Sequence, residues 1–259
     1  MRKGRLVVLA VCVVGIALGA CAAEAEMPLP YGAGVTLYHQ EQDYDLSGGV
    51  ISLGGAVIPL GLLPGVAIES DVEEVNVKLD GWVAPFVNVF GLLGYIDGTT
   101  RVTAPGGVLP VPGLSTVALD IDYDGVVYGG GVTVVGGMHD FFGSVTTTYT
   151  LTDLDVADAS ITTLTVSPKV GYTIKDFGED LALSFWVGAM LQEVEEDQAG
   201  SLVVPELGGV VVFDVELEEQ DAWHGLAGVS LHVGEEWTFE VEGGFGSRTH
   251  LLFSGGYRF

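Results

Sequence analysis

The run Asp120-Ile121-Asp122-Tyr123-Asp124-Gly125 has the spacing of the first half of a calcium-binding loop, D-x-D-x-D-G. In such a loop alternate carboxylates supply hard oxygen ligands, and the glycine allows a sharp turn. The match stops there. The twelfth position, where a bidentate glutamate belongs, is Gly131. The flanking residues alternate as a strand does, so a ladder of acids on one strand face is the favoured reading and calcium at Asp120, Asp122 and Asp124 the weaker one. Five histidines, His39, His139, His224, His232 and His250, show no metal-ligand spacing along the chain. His224 and His232, eight apart, would lie about 26 Å from each other on one strand and cannot share an ion. Ser247, His250 and Glu242 hold the residue types of a hydrolytic triad, but no hydrolase motif surrounds them, and the sequence is read as that of a non-enzyme. It offers no cofactor motif.

What must position these side chains follows from composition. The chain has 259 residues, 39 glycines, 48% hydrophobic and only 17% charged residues. Past the N-terminus it lacks the continuous apolar stretch of about 18–20 residues that a spanning helix needs. Hydrophobicity divided among short alternating segments instead suits strands with one face on lipid and the other on a lumen. Met1 to Arg5 is a basic start and Leu6 to Gly19 an apolar core, together a secretory signal of about 1–25 to be excluded from the fold of 26–259. Cleavage by the small-x-small rule near 20–25 is favoured over lipidation at Cys21. Removal of the signal leaves no cysteine, so no disulfide framework and no thiolate site is expected.

The charge excludes a class of partner. Nine basic and 35 acidic residues give −26, and loss of Arg2, Lys3 and Arg5 with the signal makes it −29, or −28 if Glu24 goes too. Such a field repels nucleic acid and gathers cations.

Read with a period of two, the chain divides into about ten strands, near 32–44, 73–84, 87–102, 116–136, 142–154, 159–174, 181–197, 222–233, 237–247 and 250–259. In the clearest, Leu164, Val166, Pro168, Val170, Tyr172 and Ile174 share one face and Thr163, Thr165, Ser167, Lys169, Gly171 and Thr173 the other. Short links at Pro85-Phe86, 137–141, 175–180 and 234–236 alternate with longer ones, chiefly 45–72, 103–115 and 198–221. That asymmetry is expected of short periplasmic turns and long outer loops. Aromatic residues gather near the short turns: Trp82 and Phe86, Phe141 and Phe142, Phe177 and Phe185, Trp237 and Phe239. They are expected to form an interfacial girdle.

The last strand places Leu251, Phe253, Gly255, Tyr257 and Phe259 on one face. Here the chain resembles the bacterial outer-membrane β-barrel superfamily, with its small porin-like barrels. The resemblance implies an all-β, closed antiparallel transmembrane barrel in the outer membrane of a Gram-negative cell. It also implies delivery by the barrel assembly machinery, with Tyr257 and Phe259 as the recognition residues. Ten strands are expected, with eight or twelve as alternatives, since 50–68, 102–114 and 201–217 could be a plug or added outer hairpins.

The expected lumen lining is Asn76, Lys78, Asp80, Asp120, Asp122, Asp124, Thr163, Thr165, Lys169, Glu240, Glu242 and Arg258. This makes an acidic, cation-preferring interior. The acidic runs at 69–74, 153–158, 193–197 and 216–221 are placed at the outer ends, where membrane lipid, lipopolysaccharide and divalent cations are the expected partners. The functional reading is a porin-like or structural surface protein. The alternative is a surface binding protein or adhesin using the acidic loops, and an outer-membrane enzyme stands third.

Overall fold

Alternation of β-branched and aromatic residues with glycine and polar residues makes nearly every described segment a strand. The computed structural model describes residues 27–53, 56–59, 66–105, 116–155, 160–178, 180–197, 199–204, 209–219 and 223–259. The signal segment and Cys21 lie outside them, as does most of 103–115. The strands are β1 (Tyr31–Leu53), β2 (Ala56–Pro59), β3 (Ala67–Ala84), β4 (Val87–Pro105), β5 (Thr116–Met138), β6 (Phe141–Leu154), β7 (Ser160–Gly178), β8 (Leu181–Asp197), β9 (Ala199–Val204), β10 (Gly209–Glu219), β11 (Trp223–Val233), β12 (Trp237–Phe245) and β13 (Arg248–Arg258).

Ten of these close into an antiparallel barrel in the order β13-β12-β11-β8-β7-β6-β5-β4-β3-β1, and β1 returns to β13. The seam runs from Gly32 against Arg258 to Gln42 against Arg248. Tyr31 and Phe259 exchange backbone hydrogen bonds at its foot, 3.2 and 2.9 Å long. Closure satisfies every wall strand on both edges, which hydrocarbon requires. The lower turns are tight, and His139, Asp180 and Gly234 take positive φ in them, the backbone twist that short hairpin links require.

Above the seam β1 leaves β13 and pairs instead with β10, from Tyr44 against Glu219 to Leu53 against Val211. β9 adds to β10 and β2 to the far end of β1. The expected loops 45–72 and 198–221 are therefore largely strand. About 9–11 residues cross a bilayer, whereas β5 has 23 and β1 also 23, so pairing continues into water. The three added strands lie outside the closed wall, which keeps ten.

The outward face carries Val35, Leu37, Val75, Val77, Leu79, Leu93, Val170, Val187, Phe239, Val241, Leu251 and Phe253, with Val170 63% exposed. At the lower end Phe141 packs against Tyr172, Trp237 against Tyr257 and Tyr31 near Phe259, at ring separations of 5.0, 4.8 and 6.2 Å. Trp82 and Phe142, expected in this girdle, point inward. The Arg258 guanidinium lies 5.5 Å over the Trp82 ring, and Phe142 covers Gly171. Alternation, not nearness to a turn, decides the face.

Large inward side chains lie flat on glycines directly opposite. Phe142 faces Gly171, Trp186 faces Gly228 and Phe90 faces Gly131. A Cβ on any of the three glycines would come within 2.5 Å of the ring concerned.

Candidate functional site in the lumen

The inward faces build a polar column in three tiers. At the foot, Arg258 pairs with Asp80 and its Nε donates to the Leu29 carbonyl, 3.3 Å away. Asn88 Nδ2 donates to the same Asp80 oxygen, Oδ2, at 2.6 Å. At mid-height, Lys169 pairs with Glu242 and lies 3.9 Å from Glu240. Trp186 Nε1 donates to Glu242 Oε2 at 2.7 Å, and the Lys169 ammonium sits 5.4 Å over the Trp186 ring. Lys78 makes a similar contact over Phe90, and Asn76 donates to Glu74 at 2.9 Å.

The upper tier holds Arg248, whose Nε donates to Gln42 Oε1 at 2.7 Å and whose Nη1 donates to Gln192. Gln40 donates to Gln42 and receives the Tyr38 hydroxyl, at 3.1 and 2.7 Å. The His250 ring stands 5.2 Å from Tyr38 and 5.3 Å from His224.

The column buries its central members. Leu226 and the His250 side chain have no exposed surface, and Glu242 and Arg248 have 2% and 3%. A buried polar group is costly unless paired, and the hydrogen bonds and ion pairs of the tiers draw on seven strands, β1, β3, β4, β7, β8, β12 and β13.

Of the twelve residues expected to line the lumen, Asn76, Lys78, Asp80, Lys169, Glu240, Glu242 and Arg258 enter this column, and Thr163 and Thr165 stand on the same inward face of β7. Thr165 is register partner to Gln192. Asp120, Asp122 and Asp124 do not: they share the outward face of β5 with Val126, Tyr128 and Val132. Arg101 grips Asp120 through Nε and Nη2 at 2.7 and 3.2 Å, Thr99 donates to Asp122 at 2.8 Å, and Tyr95 donates to Asp124. Arg101 holds the Asp120 carboxyl below its usual value. On the inward face here are Gly125 and Tyr123, whose ring lies on Gly98.

β5 changes polarity as it rises. In lipid its apolar residues turn out; above lipid they turn in, and the acids meet water. The expected acidic lumen fails for the same reason. Among the described inward side chains, Glu74, Asp80, Glu240 and Glu242 face Lys78, Lys169, Arg248 and Arg258, four against four. The excess acid is outside: Glu41, Asp43, Glu69, Asp71, Glu73, Asp97, Asp153 and the β5 trio form an outward collar. One three-residue group of metal-ligand type occurs among the described residues, His39 with Glu41 and Asp71 on this collar; its side chains are 42–66% exposed.

Arg248, Gln42, Gln192, Trp186 and His224 were not expected in the site. The alternation Arg248, His250, Leu252, Ser254 was visible, but a last strand begun at 250 left Arg248 out. The meeting of His224 with His250 depends on the register between separate strands and has no sequence signal.

No protein-family model and no curated protein matches the sequence. Solved structures with similar form include the translocator domain of the autotransporter NalP from Neisseria meningitidis, 12% identical over 98% of both chains with a TM-score of 0.43. The β domain of the Bordetella autotransporter BrkA is 12% identical over 88% of this chain and 98% of that one, TM-score 0.47. The outer membrane protein OprG from Pseudomonas aeruginosa is 13% identical over 90% and 97%, TM-score 0.44. Likenesses this distant carry no functional argument, and the barrel rests on its own strand register. A closed wall with an outward apolar band and an aromatic foot is the architecture of a membrane-spanning barrel.

Proposed function

We propose that this protein is a filled outer-membrane barrel that acts at the cell surface as a structural or ion-gathering element, and that it is not a diffusion pore. The observation that carries this reading is the mid-lumen tier of Lys169, Glu242, Trp186 and Leu226, with the His250 ring of the upper tier next to it. Ten strands enclose little more than side chains can fill, and this tier leaves Glu242 and Leu226 with 2% and no exposed surface.

The charge distribution supports the same division of labour. The interior balances its charges, while the collar above the lipid band presents carboxylates with Arg101 and His39 among them. Beside the phosphates of an anionic lipid surface, such a collar draws divalent counterions or cationic ligands from solution.

The test is planar-bilayer conductance of the refolded barrel. The expected result is no steady ohmic current from the unmodified protein. A stable open channel would overturn the reading and return the protein to the porin-like class.

A further inference from the structure

Three buried ring nitrogens, His224 Nε2 and both nitrogens of His250, have no hydrogen-bond partner. Leaving a buried polar atom unpaired is costly, so two adjacent imidazoles with three such atoms call for an explanation. Their surroundings exclude each other as partners in the ordinary sense: the rings are edge-on at 86° with centroids 5.3 Å apart, and Glu242 Oε1 is 3.9 Å from His250 Nε2.

That spacing fits a shared ligand. A zinc–nitrogen bond is about 2.0–2.1 Å, which puts two imidazole centroids about 5 Å apart on one tetrahedral ion. The His250 ring itself is seated over Gly244 on the neighbouring strand, where a Cβ would fall 2.3 Å from Nδ1. Glu242 lies on the flank of His250 where an orienting carboxylate belongs in imidazole metal sites. Arg248 donates hydrogen bonds to Gln42 and Gln192. Lys169 is engaged by Glu242 and Glu240.

The place lies near the outer end of the wall. His224 is the second residue of β11 and His250 the third of β13, just below the Gly246–Ser247 turn on the outer side.

We propose that His224 and His250 form a two-imidazole site for a borderline divalent transition metal, Zn2+ or Cu2+, immediately beneath the outer rim of the barrel. Nitrogen ligands select these ions over Ca2+ and Mg2+. The site stands independently of whether the lumen conducts.

The test uses the whole refolded barrel without a polyhistidine tag. Calorimetric titration with Zn2+ in excess Mg2+, which occupies the collar carboxylates, should show one tightly held ion that His224→Gln and His250→Gln weaken by at least about tenfold, while His232→Gln and His39→Ala leave it unchanged. Heat-modifiable migration on gels confirms that each variant is folded. Copper resonance spectra of the unmodified protein provide a readout that needs no variant, and splitting from two imidazole nitrogens is expected. Absence of Zn2+ binding, binding lost only in His39→Ala, or a copper spectrum without two nitrogens would each overturn the proposal.

Discussion

Lys169→Met should expose what the mid-lumen tier contributes to stability. The variant keeps the length and packing of the stem but removes the charge that faces Glu242, whose side chain is 2% exposed. Glu242 then retains the Trp186 N–H at 2.7 Å and a histidine edge at 3.9 Å. Breaking one partner from a buried pair costs about 3–5 kcal/mol, because the remaining charge is left in low dielectric. Removing both charges is another matter. Lys169→Met with Glu242→Leu removes the most deeply buried charge as well, leaving the Trp186 donor without an acceptor, at about 1–3 kcal/mol, and the part-exposed Glu240 without Lys169 in the double variant as in the single. The double variant should therefore be more stable than Lys169→Met alone, by roughly 1–3 kcal/mol. Equilibrium urea unfolding in lipid or detergent, followed by tryptophan fluorescence and gel migration, measures both. A Lys169→Met cost below about 1 kcal/mol, or a double variant no better than the sum of its singles, would refute the paired and dehydrated tier.

Val170→Arg should destabilise the inserted barrel by about 2–4 kcal/mol, and Thr165→Arg on the inward face far less; equal damage in refolding assays would contradict the face assignment. With no cysteine past residue 21, single-cysteine variants test the β5 correction: Asp122→Cys should react with an impermeant maleimide on intact cells and Glu240→Cys should not. Because Arg101 lowers the Asp120 pKa, their pairing is complete above the ordinary carboxylate range and is lost as pH falls through that lowered value. Carboxyl chemical-shift titration should show Asp120 moving back up in Arg101→Gln. Deletion of Phe259, on the lipid face of β13, is expected to reduce outer-membrane insertion, read as periplasmic accumulation and loss of heat-modifiable protein.

The period-two pattern made the wall legible because lipid and lumen enforce it strictly: the strand around Val170 and the strand ending at Tyr257 could be assigned to faces from side-chain polarity alone. The same rule misplaced Asp120, Asp122 and Asp124. It equates apolar with outward, and that equation holds only at bilayer depth; Ile121 and Tyr123 lie above it, where the apolar face turns inward. The long links at 45–72 and 198–221 read as loops because their alternation is weak and glycine-rich, yet β1 and β10 pair through them. The upper tier was out of reach for a different reason. Gln42, Gln192, Arg248, His224 and His250 come from four strands, and only the inter-strand register brings them together.

The rings seated on opposite glycines have a consequence for how the wall assembles. A barrel is closed by sliding strands until their ladders match, and a slip of two residues keeps every side chain on its proper face, so polarity offers no correction. Phe142 slipped by two would land on Lys169 or Thr173 instead of Gly171, and Trp186 on Leu226 or Ser230 instead of Gly228. Each ring is thus a key that seats in one notch. Strand pairs carrying such keys can check their own alignment locally, before the seam between β1 and β13 is brought together.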